Sequence, residues 1–345
     1  MLTALLRTIP LLVGLSFVPL LSAQQSPSAA PSGNPISLDV VVTPKSGPPV
    51  SGLEQKDFTV LDNKAEQPVT SFRAYSAPDA PLEVVLLIDA VNTDYTTIAF
   101  ERSEIDKFLR ADGGKLAHGL ALAIFTDDGV RMQSAFSRNG NAIADSLDRE
   151  TVALRAIRRS AGFYGAEDRL DISLHALQQL ATNEAAHPGR KLILWVSPGW
   201  PLLTGPSVQL DGKQQQRIFA SIVEASRQLR QANITIYNIN PLGASEDSLR
   251  VFYYEQFLKG VTKPSQVNLG NLSLQVLAVQ TGGLVLNSSN DVSALLRQAF
   301  QDADAWYEIS FQSPSGEPNE YHQIQVRVDK PGLIARTRTG YYAQP

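Results

Sequence analysis

Residues Pro81–Tyr95 read PLEVVLLIDAVNTDY, and the fold follows from this stretch. Leu82 to Ile88 is apolar almost throughout and ends abruptly in a carboxylate, Asp89. An apolar run of that length, bounded by turn residues, is what a strand buried on both sheet faces requires. The polar cluster Asn92, Thr93, Asp94 leads into a helical pattern starting near Thr96. In an open α/β sheet, ligands sit just beyond the carboxyl ends of such strands, so Asp89 stands where binding or chemistry is expected.

The pattern repeats downstream. GLALAIFT (Gly119–Thr126), Leu192–Val196 and Ile234–Ile239 read as further buried strands, and Leu284–Asn287 as a short one. Helical patterns lie between them at 96–110, 141–158, 171–182, 214–231 and 272–281, with a last helix at 292–302. Strands alternating with helices predict a doubly wound, mainly parallel sheet with right-handed crossovers. Val130–Phe136, joined to its predecessor by the tight turn Asp127-Asp128-Gly129, is expected as one antiparallel edge strand.

Period-two alternation flanks this body. Ile36, Leu38, Val40 and Val42 share one face of an early strand, followed by short strands through Tyr75. Trp306–Gln312, His322–Asp329 and Leu333–Tyr341 alternate in the same way near the other end. Neither piece can bury a core alone, so the two are expected to pair into one small sandwich around an inserted α/β domain. The domain reading is 1–23 signal peptide, 24–35 spacer, 36–80 β module, 81–303 α/β domain and 304–345 C-terminal β segment. The first of these rests on Arg7, the apolar IPLLVGLSFVPLL and the small-residue site Leu21-Ser22-Ala23. Export to the periplasm or medium is the expectation, with no membrane-spanning segment after the signal is removed.

Composition narrows the function. The 345 residues are 43% hydrophobic and 19% charged, with a net charge of -4, which offers nothing to a nucleic acid. There is no cysteine, so disulfides, thiolate zinc sites and cysteine nucleophiles are excluded. The four histidines, His118, His175, His187 and His322, lack the spacing of a zinc hydrolase, and there is no G-x-S-x-G elbow or phosphate-binding loop. Asp127-Asp128-Gly129 reads most simply as hairpin chemistry, and Gly282-Gly283 as a helix C-cap.

Taken together, LEVVLLIDAVNT, GLALAIFTDDGVRMQSAF, PGRKLILWVSPGWP, ANITIYNINP, LAVQTGGLVLNSSNDVSALLRQA and HQIQVRVDKPGLIARTRTGYYA resemble a von Willebrand factor type A (VWA) domain. More narrowly, the chain is similar to the exported bacterial proteins called VWFA-related, over about Ile36 to Tyr342. The resemblance implies a metal-ion-dependent adhesion site for Mg²⁺, built from Asp-x-Ser-x-Ser, a Thr from a second loop and an Asp from a third. Asp89 matches the first position, but Val91 replaces the first Ser and offers no oxygen. Thr93 matches the second Ser, Asp171 falls where the Thr is expected, with Asp168 close by, and Ser197 replaces the Asp. The implied site is degenerate, with Asp89, Thr93, Asp171 and Ser197 as its ligand set. The alternative for Asp89 and Thr93 is that they cap the next helix and satisfy the turn.

The function that follows is non-enzymatic binding of a protein or other macromolecular partner through the carboxyl-end loops. Asn92, Asp127, Asp168, Trp200 and Asn240 are the expected partner face, and the polar loop 202–215 lies near it. A structural role in a cell-envelope assembly is the alternative reading. A hydrolase using Asp89, Asp171 and Ser197 in the same cleft is the third.

Overall fold

The computed structural model describes residues 34–76, 80–150, 162–201, 210–243, 252–314 and 316–344. The expected signal peptide, most of the spacer, the end of the 141–158 helix and most of the 202–215 loop lie outside the described residues. In chain order the strands and helices begin with β1 Pro35–Pro44, β2 Phe58–Asp62, β3 Ala65–Gln67, β4 Val69–Ser76, β5 Leu82–Asp89 and α1 Tyr95–Leu109. They continue with β6 Lys115–Thr126, β7 Gly129–Met132, β8 Ser137–Asn139, α2 Gly140–Arg149, α3 Gly162–Glu184, β9 Arg190–Val196, α4 Gly212–Gln231 and β10 Ile234–Ile239. The remainder are α5 Leu274–Gln280, β11 Val285–Leu286, α6 Val292–Gln301, β12 Ala305–Gln312, β13 Tyr321–Val328, β14 Leu333–Arg336 and β15 Gly340–Tyr342.

The central sheet runs β11-β10-β9-β5-β6-β7, parallel from β11 through β6. β5 lies in its middle, and Val84 through Ile88 have no exposed surface. Alternate residues of β5 face opposite layers. Val84, Leu86 and Ile88 pack with α1, α2 and α6, while Val85 and Leu87 pack with α3, α4 and α5. Each such side chain contributes roughly 1.5–3 kcal/mol by leaving water.

One difference from the sequence reading is at the edge, where β7 is joined by a second antiparallel strand. β8 also pairs with β6, because β6 is twelve residues long and starts at Lys115, ahead of its pairing with β5. The helix starts follow capping chemistry: Asp94, Asn139, Asp211 and Asp291 each accept a backbone N–H of the helix they open. The turn between α5 and β11 needs glycine at 283, since a Cβ there would fall 1.7 Å from the Ile236 carbonyl oxygen.

Two four-stranded antiparallel sheets, ordered β14-β1-β12-β4 and β15-β13-β2-β3, enclose a second core. Ile36, Leu38, Val40 and Val42 from β1 meet Phe58 and Val60 from β2, Tyr307, Ile309 and Phe311 from β12, and Ile324, Val326 and Tyr341. Strands from both flanks of the α/β body therefore interleave in one sandwich. A polar tie crosses it: buried Asp62 accepts from the Tyr341 hydroxyl at 2.6 Å and pairs with His322 Nδ1 at 2.8 Å. The sandwich meets the α/β layer through Arg190, which is 2% exposed. Its guanidinium donates to the Asp302 carbonyl at 2.9 Å and lies 5.2 Å from the Trp306 ring centre.

Candidate functional site

Asp89 ends the central strand with no exposed surface. A buried carboxylate has to be satisfied or neutralised, and here it is satisfied five times over. Oδ1 accepts from the backbone N–H of Val91 at 3.0 Å and of Asn92 at 2.9 Å. Oδ2 accepts from Asn92 Nδ2 at 2.9 Å, Ser197 Oγ at 2.9 Å and Trp195 Nε1 at 3.3 Å. Burial pushes the Asp89 carboxyl upward, and the hydrogen bonds from Asn92, Ser197 and Trp195 pull it back.

These bonds make Asp89 a clamp on two loops. One is the turn Ala90–Asp94 leading into α1; the other is the turn after β9. There the Ser197 hydroxyl receives Gly199 N–H at 3.1 Å, the Ser197 carbonyl receives Asn238 Nδ2 at 2.9 Å, and Gly199 adopts φ +104°. The Asn92 amide extends the clamp to α3 by donating to Ser173 Oγ at 3.0 Å.

The ligand set expected for Mg²⁺ does not assemble. Asp89 and Ser197 are bonded directly to each other, with the serine proton pointing at the carboxylate. Asp171 is exposed and lines a groove between α3 and α4 with His175, and Asp168 is exposed as well. The α3 residue that reaches the Asp89 loop is Ser173, two positions on, a rotation of about 200° around the helix. Thr93 is buried at 5% exposure and its hydroxyl has no hydrogen-bond partner. Val91 is 5% exposed and packs in the core. A hard cation needs several converging oxygens with room for water, and this donor set does not fit one.

The expected partner face is also revised in part. Asp127 is exposed and Asn92 half-buried, as a surface role requires. Trp200 is only 3% exposed, its ring edge-on to Trp195 at 5.4 Å between centres. Asn240 is 2% exposed and accepts the Leu242 N–H, so it caps its own turn. What does reach solvent beside the clamp is Tyr95, 68% exposed at the first position of α1.

One buried group escaped the sequence reading. Glu101 on α1 has no exposed surface, and neither of its oxygens has a hydrogen-bond partner. Burial and the nearby Asp89 charge hold its carboxyl well above the usual range. The Thr93 hydroxyl opposes that shift, but its approach falls short of a hydrogen bond. The available signal was spacing: Glu101 lies three residues after Ile98 and four before Ile105, on the buried stripe of the helix.

No protein-family model matches the chain, and a search of curated proteins finds no match. Among solved structures, the chain is similar to proximal thread matrix protein 1 from the mussel byssus, at 12% identity over 70% of this chain and 51% of that one, with a TM-score of 0.38. It is similar to the pilus adhesin SpaC from Lactobacillus rhamnosus GG in its open conformation, at 8% identity over 86% and 49%, with a TM-score of 0.36. It is also similar to the manganese-loaded Plasmodium vivax TRAP protein, at 9% identity over 78% and 97%, with a TM-score of 0.33. The chain spans about half the length of the first two. Overlaps this loose leave the chain described by its own architecture, a mixed α/β protein with a seven-stranded, mostly parallel sheet and two antiparallel sheets.

Proposed function

We propose that this chain is an exported, VWA-like interaction protein that binds a macromolecular partner through the carboxyl-end loops of its central sheet, without catalysis and without a metal at Asp89. The observation that carries this reading is the Asp89 clamp. Five internal hydrogen bonds fix the β5–α1 turn and the start of the turn after β9, and the rim they hold presents Asp94 and Tyr95 to solvent, with Asp127 exposed on the neighbouring β6–β7 turn. An exposed tyrosine on a rigid turn is a low-entropy contact of the kind that dominates interfaces. Catalysis by the same residues is disfavoured by access: Ser197 has no exposed surface, so a substrate cannot reach its hydroxyl. Export accords with the leader-like first residues. No helix among the described residues is long and apolar enough to cross a membrane.

A second reading, the envelope-assembly role, draws on β14. This edge strand of the sandwich carries Ile334 at 54% exposure, and an apolar edge can recruit another strand. The two readings separate in one pull-down from envelope fractions, using wild type, a Tyr95→Ser, Asp127→Asn double variant and Ile334→Lys. Loss of the captured protein in the double variant alone supports the rim. Loss only in Ile334→Lys supports assembly through the edge, and equal capture by the double variant and wild type rejects the rim.

A further inference from the structure

At the opposite end of the same strand, three side chains converge from three places in the sequence. Glu83 is the second residue of β5, Glu184 the last of α3, and His187 lies in the turn that returns to β9. One ligating atom from each lies within 4.8 Å of the other two. His187 Nδ1 is 3.4 Å from Glu83 Oε2 and 3.6 Å from Glu184 Oε2. We propose that Glu83, Glu184 and His187 form a binding site for a borderline divalent cation of the Zn²⁺ class, independent of the rim at the other end.

The spacing is the first argument. Ligands at about 2.0–2.1 Å from a tetrahedral zinc stand roughly 3.4 Å from each other, close to the two distances found here. The donor set is the second. One imidazole with two carboxylates suits zinc and its neighbours better than Mg²⁺ or Ca²⁺, which favour all-oxygen shells. The third is what the carboxylates lack. Glu184 has no exposed surface, and neither of its oxygens accepts a hydrogen bond; Glu83 Oε2 is buried without one as well. A buried carboxylate without a hydrogen bond, beside a second one, is an unfavourable arrangement that a cation would resolve. Without a cation, burial and the adjacent Glu83 push the Glu184 carboxyl upward, while His187 pulls it down.

The surroundings are built to hold the ligands. His187 N–H donates to the Glu184 carbonyl at 3.1 Å, which closes the turn after α3. The buried Lys191, opposite Glu83 in the β5–β9 register, directs its ammonium to the carbonyl oxygens of His187 and Gly189. That ammonium fixes the turn backbone and feels the charges of Glu83 and Glu184 without donating a hydrogen bond to Glu184 or to Glu83 Oε2. The His187 side chain is 47% exposed, so a cation can enter from solvent and keep a water as its fourth ligand.

The test uses the purified full chain, freed of metal with a chelator and titrated with Zn²⁺ calorimetrically, with Co²⁺ as a spectroscopic substitute. The expected result is one Zn²⁺ per chain, visible Co²⁺ bands of four-coordinate type, and at least a tenfold loss of affinity in both His187→Ala and Glu83→Gln. His187 is half-exposed, so its removal should leave the fold intact, and a melting curve checks this. His175→Ala, which removes another exposed imidazole, is expected to keep wild-type affinity. Failure of wild type to bind at 100 µM Zn²⁺, or unchanged binding in His187→Ala, would overturn the proposal.

Discussion

Strand β5 carries an acid near each end, and the two ends solve the same electrostatic problem differently. At the carboxyl end, Asp89 is wholly buried and its charge is met by five donors, three from the turn before α1, one from Trp195 on β9 and one from the turn after β9. At the amino end, Glu83 meets Glu184 and His187, and Glu83 Oε2 and both Glu184 oxygens find no hydrogen-bond donor. The difference lies in what the neighbouring backbone offers. The tight turn after Asp89 folds its own N–H groups back onto the carboxylate, whereas the turn after α3 presents carbonyls, which attract Lys191 instead. Position along a parallel strand thus decides whether an acid is completed from within or left needing a proton or a cation.

The largest expected effect comes from removing the satisfied acid. Asp89→Ala removes the shared acceptor of a serine hydroxyl, an indole, the Asn92 amide and two backbone N–H groups, and should cost about 3–5 kcal/mol in urea unfolding. A loss below about 1 kcal/mol would mean that the loops hold themselves and that Asp89 is not their clamp.

Glu101, on α1 rather than β5, is a second buried acid without hydrogen-bond partners, and it tests what such an acid costs. Glu101→Gln should raise stability at neutral pH by about 1–3 kcal/mol. The pH dependence follows from linkage. Glu101 and Glu184 both have folded values above the 4.5 of a free glutamate, so above that pH the unfolded chain binds fewer protons than the folded one. Their contribution is complete below pH 4.5 and is lost as pH rises through the folded values. The urea midpoint of metal-free wild type should therefore fall from pH 4.5 toward neutrality, and fall less in Glu101→Gln. A midpoint that rises over that range in wild type would contradict both assignments.

Smaller effects test the rim. Asp94 accepts from the Thr97 N–H and both neighbouring threonine hydroxyls, which hold its carboxyl down at about 2. Asp94→Ala should cost about 1 kcal/mol, as N-cap removal does. Millimolar Mg²⁺ should leave the melting temperature unchanged, since ligand binding to the folded state would raise it. A rise abolished by Asp89→Asn would restore an adhesion-type metal site.

Much of the α/β order was legible because its signal is local. The apolar run before Asp89, the capping residues and the alternation of strand with helix each depend on a few adjacent residues. The site was harder because its decisive contacts depend on rotation and on distant partners. Asp171 was expected at the clamp, yet helix phase delivers Ser173 and turns Asp171 outward. Trp200 looked like a surface aromatic beside a turn, yet Gly199 at φ +104° folds it back onto Trp195. The Glu83–Glu184–His187 cluster was invisible because nothing in linear spacing announces that a helix end and a strand start meet.

The sandwich also sets an order of events. Among the described strands, β1 pairs with β12 and β14, with Pro35 opposite Gln312 and Pro44 opposite Leu333. During synthesis β1 emerges before the α/β body, and both strands that flank it emerge after it. The central sheet can form while β1 waits, so closure of the sandwich is the step of highest contact order and should set the pace of folding. Until then Ile36, Leu38, Val40 and Val42 form an apolar strand without its partners, a segment exposed to misassociation.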